Sequence, residues 1–307
     1  MRQSYVPRTF IYIAQVFGIV MGVCMFIAGV VAFNPGRWNT TMNPITSTVV
    51  LTIISYFAWK SIFVGIWIIR FVKNNSDEVI ANNKFIISAL SLSLNGIFTP
   101  FIMTMMPNVN TTSTISPRYT ISNIMGQVGF FGAMIGLAML FIGGTVMGKI
   151  PMKELISSTG PLVLMILLIG LLALSAPTFF LFSSKNAEQE LADANTSKAS
   201  IMKAISTVWL AIITLELIGV IFMAIIRLIA AILDMMRAFS EADGFFGFIL
   251  IMNALFRLVW TFMYVMLVIR LTMATIKGIW NKEGVVHMHS YEALATKQAE
   301  AERTQKA

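Results

Sequence analysis

The sequence predicts an all-α fold, a polytopic bundle of six to seven transmembrane helices with short loops, and three observations predict it. Hydrophobic residues make up 57% of the chain and charged residues 12%. Mean hydropathy is +0.80. Predominantly apolar runs recur near 9–33, 45–72, 122–147, 160–183, 207–234 and 244–276. A soluble fold of this size needs polar side chains to cover its surface, whereas a bilayer solvates apolar surface directly. About 20 apolar residues cross the hydrocarbon core, so each of the six runs is long enough to span.

The first run follows Arg2 and Arg8 and begins like a signal peptide. Its apolar stretch is too long for a cleaved leader, which predicts a retained first helix. A seventh run, 85–106, carries Ser88, Ser91, Ser93, Asn95, Gly96, Thr99 and Pro100. Pro100 removes one helical hydrogen bond, so this segment either spans or dips in and returns.

Charge counting separates the two topologies, both with a cytoplasmic N-terminus. With seven spans the basic residues divide almost evenly between the two sides. With 85–106 re-entrant, only Arg37, Lys149, Lys153 and Arg237 fall outside, and the remaining loop and terminal lysines and arginines lie inside. The positive-inside rule therefore favours six spans and a re-entrant segment. The Asn-x-Ser/Thr triplets at Asn39, Asn110 and Asn195 favour the other topology, since all three lie outside only when every run spans.

No loop between runs is long enough for a separate domain, so residues 1–280 form one membrane domain. Residues 281–307 form a polar tail, expected to be cytoplasmic and partly helical because Ala, Glu, Lys and Gln dominate from Tyr291 onward. Internal likeness is weak: Phe17, Gly18, Gly22 and Met25 match Phe131, Gly132, Gly136 and Met139 at a constant offset. The loops Lys73–Lys84 and Lys185–Lys198 are also alike, which suggests helix, helix, loop occurring twice.

Small residues recur at Ala14, Gly18 and Gly22 and at Gly129, Gly136 and Gly143, with Gly132 between. Such grooves let backbones approach closely where lipid supplies little drive for helix association. The contacts fall within the chain or between copies.

Chemistry is to be sought at ionisable groups inside the runs, because a charge at mid-bilayer costs several kcal/mol. Lys60, Glu216, Arg227 and Arg257 are such groups. Glu216, Arg227 and Asp234 share one arc of a helix at 100° per residue, and Asn253, Arg257, Thr261 and Tyr264 share another. Pairing Glu216 with Arg257 on antiparallel neighbours would neutralise both, either as part of a polar path or as a salt bridge that fixes register. Lys60 shares a face with Thr52 and Tyr56 and is a third partner or lines a vestibule. Asn95 belongs to the interrupted run, where an unwound backbone would need a polar cavity, and an ordinary proline kink is the plainer alternative.

Phosphate loops, zinc-binding pairs and nucleophile elbows are absent, and His287 and His289 lie in the tail, so no cofactor, no metal and no catalytic residue is assigned. The formal charge of +8 is spread singly between apolar runs, which argues against nucleic acid and for headgroup anchoring. Expected partners are the lipid bilayer and other membrane subunits or a second copy. The expected function is a channel or carrier for an ion or small solute, with a non-catalytic subunit of a larger membrane complex as the alternative, and not an enzyme.

Overall fold

The computed structural model describes residues 6–33, 43–92, 98–106, 115–184, 186–192, 196–241 and 244–280. Asn39, Asn95, Asn110, Asn195, His287, His289 and the tail lie outside them. In chain order the elements are α1 (Arg8–Ala32), α2 (Pro44–Asn74), α3 (Asp77–Asn82), α4 (Lys84–Leu92), α5 (Thr99–Met105), α6 (Pro117–Phe141) running into a π-helical turn Ile142–Met147, α7 (Met152–Ser157), α8 (Thr159–Phe182), α9 (Ala187–Ala192), α10 (Ser197–Glu241) and α11 (Gly244–Trp280). Among the described residues no strand occurs. Six helices are long and apolar enough to cross a membrane, and the chain is a multi-pass, all-α bundle.

Capping signals set where the spans begin. The Asn43 side chain accepts the Ile45 amide at 3.0 Å with Pro44 opening α2, and Ser116 does the same for Tyr119 at 3.3 Å with Pro117 opening α6. Each cap satisfies an amide that the first helical turn leaves without an intrahelical partner. The one large departure from the expected boundaries is α10, which starts at Ser197 rather than near 207. Its first turns bury Ala199, Met202 and Ser206 while Lys198 stays exposed, so the helix outlasts the apolar run as an amphipathic stem.

Three hairpins make up the bundle: α1 on α2, α6 on α8, and α10 on α11, with α2 also packed against α6. Glycines carry the contacts of the first two hairpins and of α2 with α6. Gly22 lies against Ala58 and Ser61, Gly126 against Thr178, Gly129 against Ser175, and Gly136 against Leu168. A Cβ on Gly132 would stand 2.8 Å from the Tyr56 ring. Gly143 is looser, with Thr48 at 3.7 Å. Ala14 and Gly18 are buried, and the Gly18 carbonyl accepts the Ser61 hydroxyl at 3.0 Å. The small-residue grooves are thus filled by helices of the same chain.

The register of α6 on α2 decides the topology. Gly132 lies at Tyr56 and Trp59 while Gly143 lies at Thr48 and Leu51, so the two helices are antiparallel. The start of α6 therefore sits at the end of α2. Arg8 marks that same end, bonding Asp77 at 2.6 Å and the carbonyls of Val72 and Asn75 at 2.8 and 2.7 Å. At 1.5 Å per residue α4 and α5 are about 13 and 10 Å long, well short of the roughly 30 Å core. Lys84 and Met106 line one cavity, so the segment leaves where it entered. Among the described residues six helices, and none within 85–106, are long and apolar enough to span. Its inner end places the Phe98 ring 5.3 Å from that of Phe17, two turns into α1.

Candidate functional site

Lys60 and Glu216 form a salt bridge across α2 and α10. The Lys60 ammonium donates to both carboxylate oxygens of Glu216 at 2.7 Å. The Lys60 side chain is 2% exposed and that of Glu216 30%. An ammonium so buried costs several kcal/mol unless an acceptor answers it, and Glu216 is that acceptor.

The expected pairing of Glu216 with Arg257 is corrected by the register of the last hairpin. Trp280 Nε1 donates to Thr214 at 2.8 Å, and Ala224 packs with Val265 and Val268. Between those two levels Glu216 stands level with the last turns of α11, its carboxylate turned to Lys60 of α2. Arg257 lies roughly 30 Å further along α11, at 1.5 Å per residue. Position within an apolar run does not give depth here, because α10 and α11 are both longer than the runs they contain.

Arg257 instead belongs to a second group. Arg227, Asp234, Asn253 and Arg257 line one cavity of about 770 Å³ between α10 and α11, closed on one flank by Phe98 and Phe101 of the re-entrant segment. Arg237 and Glu241 extend it toward the hairpin tip. Here the face reading holds in part: Arg227 and Asp234 share the cavity, while Glu216, on the same arc, lies in the bundle with Lys60. Neither Arg227 nor Arg257 makes a salt bridge among the described residues.

Further along α11 a cavity of about 420 Å³ is lined by Lys84, Thr104, Leu267 and Arg270. The Lys84 ammonium stands 5.5 Å from the centroid of the Phe85 ring, and burial pulls its pKa below the usual lysine value. Arg270 was missed as a candidate in the sequence, although an arginine thirteen residues after Arg257 in the same apolar run is itself the signal. Between the two cavities the Phe101 ring lies 6.5 Å from Trp260 and 5.9 Å from Tyr264.

Other polar groups of the spans bond within the bundle. Thr52 donates to the Thr48 carbonyl, Gln15 to Ser91 at 3.3 Å, and Trp209 to Thr178 at 2.9 Å. Ser88 and Thr275 share a hydrogen bond of 2.8 Å that fixes α4 to α11. Ser88–Thr275 holds α4 against the last hairpin and Gln15–Ser91 holds it against α1. Among the described residues no group of histidine, cysteine and carboxylate side chains is placed to hold a metal ion. Comparison with protein families, with characterised proteins and with solved structures returned no match.

Proposed function

We propose that the chain is a channel or carrier that moves an ion or small solute along the polar side of the α10–α11 hairpin. The observation that supports it is the convergence of Arg227, Asp234, Asn253 and Arg257 on one cavity at the inner end of a re-entrant segment. Arg227, Asp234, Asn253 and Arg257 are exposed on the hairpin, and gathering them around one cavity lets them share water or a charged solute. Re-entrant segments persist where protein or water satisfies their backbone, as in filters and broken transporter helices. Lys60–Glu216 then serves as a fixed strut beside the path. No chemical step is assigned to the chain. The basic excess at the end holding Arg8 and Lys84 makes that end cytoplasmic in this reading.

Solute flux into proteoliposomes tests it: the wild-type chain carries flux and Arg257→Gln loses most of it. A preparation that is monodisperse in detergent yet carries none of the inorganic ions and small solutes offered would remove the transport reading.

A second reading, a non-catalytic subunit of a larger membrane assembly, has its own observation. From Glu216, level with the middle of α2, α10 continues 25 residues to Glu241, about 37 Å. Half the hydrocarbon core is about 15 Å. The tip of the hairpin exposes Phe245, Phe246, Phe248 and Phe256, each more than 60%, a surface suited to a protein neighbour. Copurification in mild detergent, together with the absence of flux, supports this reading.

A further inference from the structure

We infer that the tip-side half of the α10–α11 hairpin is the contact face of a homodimer, with Asp234 of each copy bonded to Arg257 of the other; this stands apart from the transport reading. From Ile218 to Glu241, α10 buries only Ala224 and Ala238 among the described residues, and from Gly244 to Tyr264, α11 buries only Gly247. The rest of the bundle therefore covers α10 as far as Leu217 and α11 from Val265 onward. Toward the tip the two helices are covered by little besides each other, with Phe98 and Phe101 on one flank.

Opposite charges stand at one level on this uncovered stretch. Ala224 packs with Val265 and Val268. Asp234 lies ten residues beyond Ala224, and ten residues before Val265 and Val268 are Leu255 and Leu258, so Asp234 is level with Arg257. Both are exposed and both line the groove between the helices. Neither makes a hydrogen bond or a salt bridge among the described residues. An aspartate and an arginine on otherwise apolar helices are costly in lipid and are usually paired, so both remain open to a helix from outside the chain.

A second copy fits that requirement by symmetry. A two-fold axis parallel to the spans keeps every residue at its own depth. It sets α10 of one copy against α11 of the other, antiparallel as within each hairpin. Asp234 then meets Arg257 of the other copy at equal depth, and the symmetry makes the pair twice. The two α10 helices stand diagonally, which keeps Arg227 of one copy away from Arg227 of the other. Ala230, Ala231 and Ala254 line the same groove, and small residues let helices approach closely enough for van der Waals contact to hold them in lipid.

The test uses the full chain with Cys24 replaced by serine, expressed as two differently tagged copies, one with Asp234→Cys and the other with Arg257→Cys. Oxidation in the membrane is expected to give a disulfide-linked species carrying both tags. The pair Val163→Cys and Leu167→Cys, also exposed but on α8, is expected to give little. Without the cysteines, Asp234→Arg and Arg257→Asp are each expected to weaken association by about tenfold or more in mild detergent, and the double reversal to recover most of it. A missing two-tag disulfide, with both cysteines reactive to maleimide, overturns the inference. That is the result expected if Asp234 bonds Arg257 of its own chain or a different protein covers the face. Association undiminished in both single reversals overturns it as well. Neither measurement reads flux, so the transport reading stands or falls separately.

Discussion

Lys60 Nζ lies 2.7 Å from both carboxylate oxygens of Glu216, joining α2 to α10 across 156 residues of chain. The two partners are unequally buried, so removing one is not equivalent to removing the other. Glu216→Gln leaves a 2% exposed ammonium without a counter-charge and is expected to cost about 3–5 kcal/mol. Lys60→Met leaves a carboxylate that is 30% exposed, and its cost is expected to be smaller. The Lys60→Met, Glu216→Met double variant should recover much of the loss, because a well-packed apolar pair of similar volume often matches a buried ion pair. Thermal unfolding in detergent ranks the three; equal losses for both single variants would contradict the asymmetry.

Six spans and seven spans differ in which loops share a side. In the fold described, Lys73 and Asn186 lie at one end of the bundle and Lys153 at the other, whereas seven spans would put Lys73 with Lys153. Single cysteines at these three exposed positions, with Cys24 replaced, are expected to label from opposite sides accordingly. An impermeant maleimide on sealed, oriented vesicles reads the outcome directly. Shared labelling of positions 73 and 153 would return the seven-span topology.

The spans were legible because hydropathy acts locally: α1, α2, α8 and α11 begin and end within a few residues of their apolar runs. The re-entrant segment was legible through Pro100 and the distribution of lysines and arginines, which record the side on which each loop resides. Depth was not legible. Arg257 and Glu216 occupy similar places in their runs, yet α10 exceeds its run by ten residues at one end alone, and only the Trp280–Thr214 and Ala224–Val265 contacts fix the hairpin register. Lys60 as the partner of Glu216 needed the crossing of α2 and α10, a long-range relation that no spacing within either helix encodes.

Gly132 and Gly170 are both glycines within membrane helices, but their surroundings differ. An added Cβ at Gly132 meets the Tyr56 ring at 2.8 Å and Trp59 at 3.1 Å, whereas at Gly170 nothing lies within 4 Å. Gly132→Ala is expected to destabilise by about 1–3 kcal/mol through overpacking between α6 and α2. Gly170→Ala is expected to be neutral or to gain up to about 1 kcal/mol of helix propensity. Unfolding midpoints for the pair decide the matter, and a neutral Gly132→Ala would mean that α6 and α2 are less tightly packed than described.

Lys84 and Arg270 line the same cavity, but only one of them can lose its charge in an accessible pH range. Burial already pulls the Lys84 pKa below the usual lysine value. Arginine stays protonated throughout. As pH rises, the cavity therefore sheds charge at Lys84 first, and does so earlier than an exposed lysine would. Solute flux is expected to fall on the alkaline side for the wild-type chain and to stay level for Lys84→Arg. Lys84→Gln should be low and flat across the same range, since its charge is absent at every pH. Identical alkaline profiles for the wild type and Lys84→Arg would place the titrating group elsewhere and free Lys84 from any part in the path.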